Sequence, residues 1–141
     1  MKFTKYLFII LSTALLSSCG ITKYATPVFQ GERCNVYVFR DSFALVWSVS
    51  IVSEKVTYAK LDDESFTTFE LPVGERVIEA KWPFLSGGVD LKVPLTCESN
   101  SNYYIAFHGD ADYNTRVIRG GFIDKPSADE RVSSYVLVGY R

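Results

Sequence analysis

From residue 34 onward the chain alternates apolar and polar or aromatic positions with the two-residue period of extended strands. Cys34, Val36 and Val38 alternate with Asn35, Tyr37 and Phe39, and both sets are β-prone. Residues 46–52 are β-branched or aromatic at Val46, Trp47, Val49, Ile51 and Val52, and Ser53-Glu54-Lys55 follows as a turn. Residues 55–61 and 65–71 form two further strand candidates, separated by the acidic turn Asp62-Asp63-Glu64. After the break at Pro72-Val73-Gly74-Glu75, Ile78, Ala80 and Trp82 share one face while Glu79 and Lys81 take the other. The clearest alternation sets Val89, Leu91, Val93, Leu95 and Cys97 against Asp90, Lys92, Pro94 and Thr96. Pro94 lacks an amide hydrogen, which predicts an edge strand or a bulge. Residues 102–108 and 115–122 supply two more strands, split by Gly109-Asp110-Ala111-Asp112-Tyr113-Asn114, with Gly120-Gly121 as a bulge or kink. Ser127 and Glu130 stand at capping-box spacing and predict one or two helical turns. Tyr135-Val136-Leu137-Val138 then favours a last strand. The fold class is all-β: an antiparallel β-sandwich or barrel of about seven to eight short strands, with a short helix near the C-terminus.

The first twenty residues follow a different pattern. Lys2 and Lys5 precede the almost wholly apolar residues 7–16, and small residues follow. A basic start, about ten apolar residues and a small-residue end make a secretory signal, because a membrane span needs roughly 20 apolar residues. Leu16-Ser17-Ser18-Cys19 resembles the lipobox of bacterial lipoproteins. That resemblance implies a diacylglycerol thioether on Cys19 Sγ, cleavage before Cys19 and acylation of the new amino group. Several acyl chains make the anchor stable, since each buried CH₂ contributes only about 0.8 kcal/mol. In a two-membrane bacterium, Gly20 after the lipidated cysteine implies the periplasmic face of the outer membrane. The organisation expected is a signal peptide over 1–18, a lipidated tether over 19–33 and a β domain over 34–141. Pro27, Gly31 and scattered polar residues give the tether no clear period.

Composition supports a buried core: 48% of the 141 residues are hydrophobic and 22% charged, which excludes disorder throughout. Fifteen basic against sixteen acidic residues give a net charge of -1. Loss of Lys2 and Lys5 with the signal would leave thirteen basic residues. Neither balance provides the Lys/Arg excess of a nucleic-acid binder.

Cys34-Asn35-Val36-Tyr37-Val38-Phe39-Arg40 resembles the "VYVYR" opening of DUF2846-type lipoprotein domains. Leu71-Pro72-Val73-Gly74-Glu75-Arg76 is similar to their "LPPGEH" turn, with Val73 for the second Pro and Arg76 for His. Asn102-Tyr103-Tyr104-Ile105 resembles their "YYI" strand. The pattern is also similar to PEGA-type β-sandwich modules of cell-envelope proteins. The resemblance implies a small exported β domain, with no catalytic residues to carry over.

Once Cys19 is assigned to the anchor, Cys34 and Cys97 remain. An even pair in an oxidising compartment predicts a disulfide, with two buried free thiols as the alternative. His108 is the only histidine. With Asp110 and Asp112 nearby it could serve a hydrolase of envelope polymers, but no Ser stands in a Gly-x-Ser-x-Gly elbow. Zinc would need more His or Cys ligands. Asp110-x-Asp112-x-Asn114 opens like a calcium loop, yet Thr115 replaces the sixth-position Gly and Gly121 the twelfth-position Glu. It reads as a polar hairpin loop. Neither a metal nor a cofactor is expected.

The aromatic residues are expected mostly in the core. Tyr37, Phe39 and Tyr104, on strands apolar on both faces, are the candidates for a surface that binds an envelope protein or glycan. The reading is thus a non-catalytic binding or structural module held to the membrane by lipid, with the hydrolase as alternative.

Overall fold

The computed structural model describes residues 30–42, 47–112 and 115–139, with residues 111, 112 and 115 described by backbone alone. The expected signal peptide, Cys19 and most of the expected tether lie outside the described residues, as does Val46.

Among the described residues the alternating segments become nine strands: β1 Arg33–Arg40, β2 Val49–Ser53, β3 Val56–Leu61, β4 Ser65–Pro72, β5 Gly74–Lys81, β6 Leu91–Cys97, β7 Asn102–Asp112, β8 Thr115–Phe122 and β9 Val136–Leu137. One helix, α1 Lys125–Ser134, precedes β9. The strands form a five-stranded sheet, β8-β7-β1-β4-β9, and a four-stranded sheet, β3-β2-β5-β6. The fold is an all-β sandwich.

Three hairpins, β2–β3, β5–β6 and β7–β8, are antiparallel neighbours within a sheet. Glu54 and Lys55 join β2 to β3 with φ of 49° and 71°, the double left-handed geometry that matches strand twist. The acidic turn after β3 instead carries the chain from one sheet to the other, as does Val73 between β4 and β5. Within the five-stranded sheet β1 pairs with β7 in parallel, and so does β4 with β9. That sheet is mixed, where alternation had suggested a wholly antiparallel sandwich: period-two patterning fixes which face a residue takes, not the direction of its neighbour.

β6 lies at an edge, and there Val93, Leu95 and Cys97 are buried while Lys92, Pro94 and Thr96 are exposed. Pro94 therefore occupies an edge strand, where its missing donor is tolerated. Gly120 and Gly121 lie in unbroken register with Phe107 and Ala106, so there is no bulge at that point. A Cβ on Gly120 would run into the Ala106 carbonyl and the Phe107 backbone, so close approach of β7 explains this glycine. A register shift occurs instead at Ile51/Val52.

The main core fills the space between the sheets, with Val36, Val38, Ile51, Leu61, Phe69, Leu71, Ile78, Leu95, Ile105 and Phe107 among its residues. Cys34 in β1 and Cys97 in β6 form a disulfide across the two sheets, with Cα atoms 5.6 Å apart. A second, smaller cluster lies on the outer face of the five-stranded sheet, where Ala128 of α1 joins Phe39, Phe66 and Ala106. Asp124 caps α1 by accepting a hydrogen bond from the Ser127 amide (3.2 Å), so the helix starts three residues before the Ser127–Glu130 spacing suggests and runs for ten residues. Pro126 sits in its first turn, where a missing N–H is harmless. Among the described residues no helix is long and apolar enough to cross a membrane.

Candidate functional site

Alternation along β1 sends Cys34, Val36 and Val38 inward and Asn35, Tyr37 and Phe39 outward. Because β7 runs parallel to β1, the register places Asn102 beside Asn35, Tyr104 beside Tyr37 and Ala106 beside Phe39. Three rows result on the outer face. In the first, Asn35 Nδ2 donates to Asn102 Oδ1 at 3.0 Å. In the second, the rings of Tyr37 and Tyr104 lie 5.2 Å apart, tilted by 32°. In the third, Phe39 stacks on Phe66 at 5.3 Å.

The helix divides these rows. Phe39 is 0% exposed in the cluster that Ala128 completes, so it supplies support beneath the helix and no surface to a ligand. Tyr37 and Tyr104 pack against the margin of that cluster and stay half-buried. Of the three aromatic residues singled out in the sequence, two share an accessible face. Thr68 lies opposite Tyr37 on β4, and Glu70, paired with Arg33 at 3.0 Å, lies opposite Asn35. Lys125, at the start of α1, is held by Asp129 at 2.6 Å. That bond is the main reason its pKa is raised, and the nearby tyrosines add to the shift. The site is thus two adjacent aromatic rings bordered by paired amides on one side and a lysine on another. Such rings offer flat apolar area with little side-chain entropy to lose, and the border offers hydrogen bonds.

At the far end of α1, Asp41 accepts hydrogen bonds from Arg131 Nε (2.7 Å), Arg131 Nη2 (2.9 Å) and the Tyr135 hydroxyl (2.7 Å). Burial alone would push the Asp41 carboxyl up, but the bonds from Arg131 and Tyr135 outweigh it and hold the pKa below the ordinary value. Burial, and then the bond to Asp41, push Tyr135 up to about 12. This three-residue clasp anchors the helix that frames the tyrosine pair. No alternation pattern marks it, because its members lie 90 and 94 residues apart in the chain.

His108 is exposed on β7. Asp110 is engaged by Arg119 Nε at 2.9 Å, and the side chains of Asp112 and Asn114 lie outside the described residues. Among the described residues no group of three or more His, Cys, Asp or Glu side chains could hold a metal ion. Sequence reasoning also missed Arg40. This residue is 2% exposed at the end of β1 and donates to the carbonyls of Trp47 (2.8 Å) and Leu61 (2.6 Å) while pairing with Asp63 at 2.8 Å. Burial lowers its pKa, and the charges of Asp63 and Asp62 oppose that shift. The acidic turn of the sequence is therefore the counter-charge for a buried guanidinium. No protein-family model, curated protein or solved structure matches the chain.

Proposed function

We propose that this chain is a cell-envelope lipoprotein, anchored through Cys19, whose β-sandwich is a non-catalytic binding module for another envelope component. The lipobox-like Leu16-Ser17-Ser18-Cys19 and the likeness to DUF2846-type domains support the anchoring. The observation that carries the binding role is the Tyr37–Tyr104 pair, left half-open beside a helix that buries its neighbour Phe39. A sugar ring or an apolar peptide side chain can stack on those tyrosines while Asn35, Asn102 or Lys125 bonds its polar groups. Weak binding suffices for an anchored protein, because attachment to a surface raises the local concentration of whatever shares it. The hydrolase alternative draws no support from this geometry: Arg119 holds Asp110, and the exposed His108 has as its near carboxylate Asp41, which Arg131 and Tyr135 already engage.

Cross-linking of intact cells, followed by recovery of the wild type and of Tyr104→Ala, tests the module. The wild type is expected to retain a protein or glycan partner that the variant loses; recovery of no partner by the wild type, or the same one by both, rejects the role. Incorporation of a palmitate analogue by the wild type but not by Cys19→Ala tests the anchor separately.

A further inference from the structure

The β5–β6 hairpin carries its two most exposed large apolar side chains at its tip. Phe84 is 97% and Leu85 90% exposed, although the loop that holds them is tightly built. Phe84–Ser86 form a 3₁₀ turn, closed by the Ser86 amide on the Pro83 carbonyl at 2.8 Å. Gly87 follows with φ of 64°, a left-handed position that suits glycine. The Trp82 amide donates to Asp90 Oδ1 at 2.9 Å across the neck, and the Trp82 ring fills the space where a Cβ on Gly88 would sit. Arg116 Nη1 reaches the Ser86 carbonyl at 3.2 Å and its guanidinium lies 4.8 Å from the centre of the Trp47 ring.

We infer that this tip is a membrane-insertion loop, taking the acyl region of a phospholipid bilayer as its ligand. Residues 83–89 carry no charge. Behind two purely apolar side chains stand Trp47, 40% exposed, and Arg116, the residue types that settle at the headgroup level while Phe and Leu go deeper. The length of chain between the proposed anchor and the domain permits it. β1 begins at Arg33 at one end of the sandwich, and the register runs β5 away from that end, so the tip lies at the opposite end. The eight residues of β5 span roughly 26 Å, whereas fourteen steps from Cys19 to Arg33 reach up to about 48 Å. The tether can therefore fold back along the domain and let the tip meet the leaflet that holds the lipid.

For that reach the inference rests on the anchored reading, and the experiment separates the two. Trp47 and Trp82 are the only tryptophans of the chain; Trp47 is partly exposed behind the tip and Trp82 is buried at its neck, so their fluorescence reports how deeply the tip inserts. Full-length protein purified from membranes is reconstituted with phosphatidylethanolamine–phosphatidylglycerol vesicles containing brominated acyl chains. In parallel, the same chain is tethered by an N-terminal histidine tag to nickel-chelating lipid in such vesicles. Quenching is expected for the wild type and for Phe84→Leu. For Phe84→Ser/Leu85→Ser it is expected to fall to the level of protein without vesicles, at unchanged flotation. Equal quenching of wild type and double variant, or none of either in the tagged form, overturns the insertion loop. If only the tagged form floats and is quenched, the anchor at Cys19 fails and the loop stands.

Discussion

Asp41 shows how much a single side chain can organise just past the end of a central strand. One carboxylate accepts from Nε and Nη2 of Arg131 and from the phenol of Tyr135, and so fixes both the last turn of α1 and the residue that ends it. Asp41→Asn keeps the size and removes the charge, and is expected to cost about 1–3 kcal/mol in urea unfolding at neutral pH. The pH dependence follows from the direction of each shift. The folded Asp41 pKa lies below the ordinary 3.8, so its contribution is complete above that value and is lost as pH falls through the lower, folded one. The stability gap between wild type and Asp41→Asn should therefore close in acid. Tyr135 acts in the opposite sense: its pKa is raised from 10.0 to about 12, so its contribution is complete below the lower figure and vanishes as pH climbs to the higher. Tyr135→Phe should be less stable than wild type by about 1 kcal/mol at pH 7, with the gap narrowing only in strong base. Urea midpoints across the two pH ranges check both expectations.

The elements that were legible in the sequence are those whose signal is local. Alternation in β6 reveals its inward face, and of the edge or bulge that Pro94 implies, the edge is what the sheet order shows. The turn at Glu54–Lys55 and the break near Pro72 could be read from a few neighbouring residues. What could not be read depends on partners far along the chain: the parallel pairing of β1 with β7, the crossing of the acidic turn between sheets, and the helix that covers Phe39 but leaves Tyr37 half-open. Two-faced apolarity in β1 signalled that something covers the sheet without saying how far the cover extends. Likewise Phe84, an exception to the expectation that the aromatic residues lie mostly in the core, sits between Pro83 and Gly87-Gly88, and those flanks are the available sign of a loop. α1 itself has one fully buried residue, Ala128, so its docking rests on a narrow contact. Ala128→Glu would force a carboxylate against Phe39 and Phe66 and is expected to destabilise the protein by about 2–4 kcal/mol. A parallel rise in accessibility of Tyr37 and Tyr104, read by solvent perturbation of tyrosine absorbance, would locate the loss at the helix.

Across the whole molecule, the two sheets are joined covalently at the end where β1 begins. The Cys34–Cys97 bridge spans 63 residues, and constraint of the unfolded chain over such a loop is worth at most about 4 kcal/mol. A domain of this size has a total stability of about 5–15 kcal/mol, so the bridge is a large share of it. Its sulfurs belong to residues that are 0% and 1% exposed, packed among the core residues of both sheets, and a reductant cannot reach them without opening the sandwich. Reduction should then follow global unfolding. In native buffer with excess thiol-free phosphine the bridge is expected to persist, and in urea near the unfolding midpoint to be lost at the rate of unfolding. The Cys34→Ala/Cys97→Ala protein should unfold about 2–4 kcal/mol more easily. Mass spectrometry after alkylation reads the first result and equilibrium unfolding the second. Rapid reduction of the native protein would mean that the sandwich opens locally at the end where β1 begins, without global unfolding.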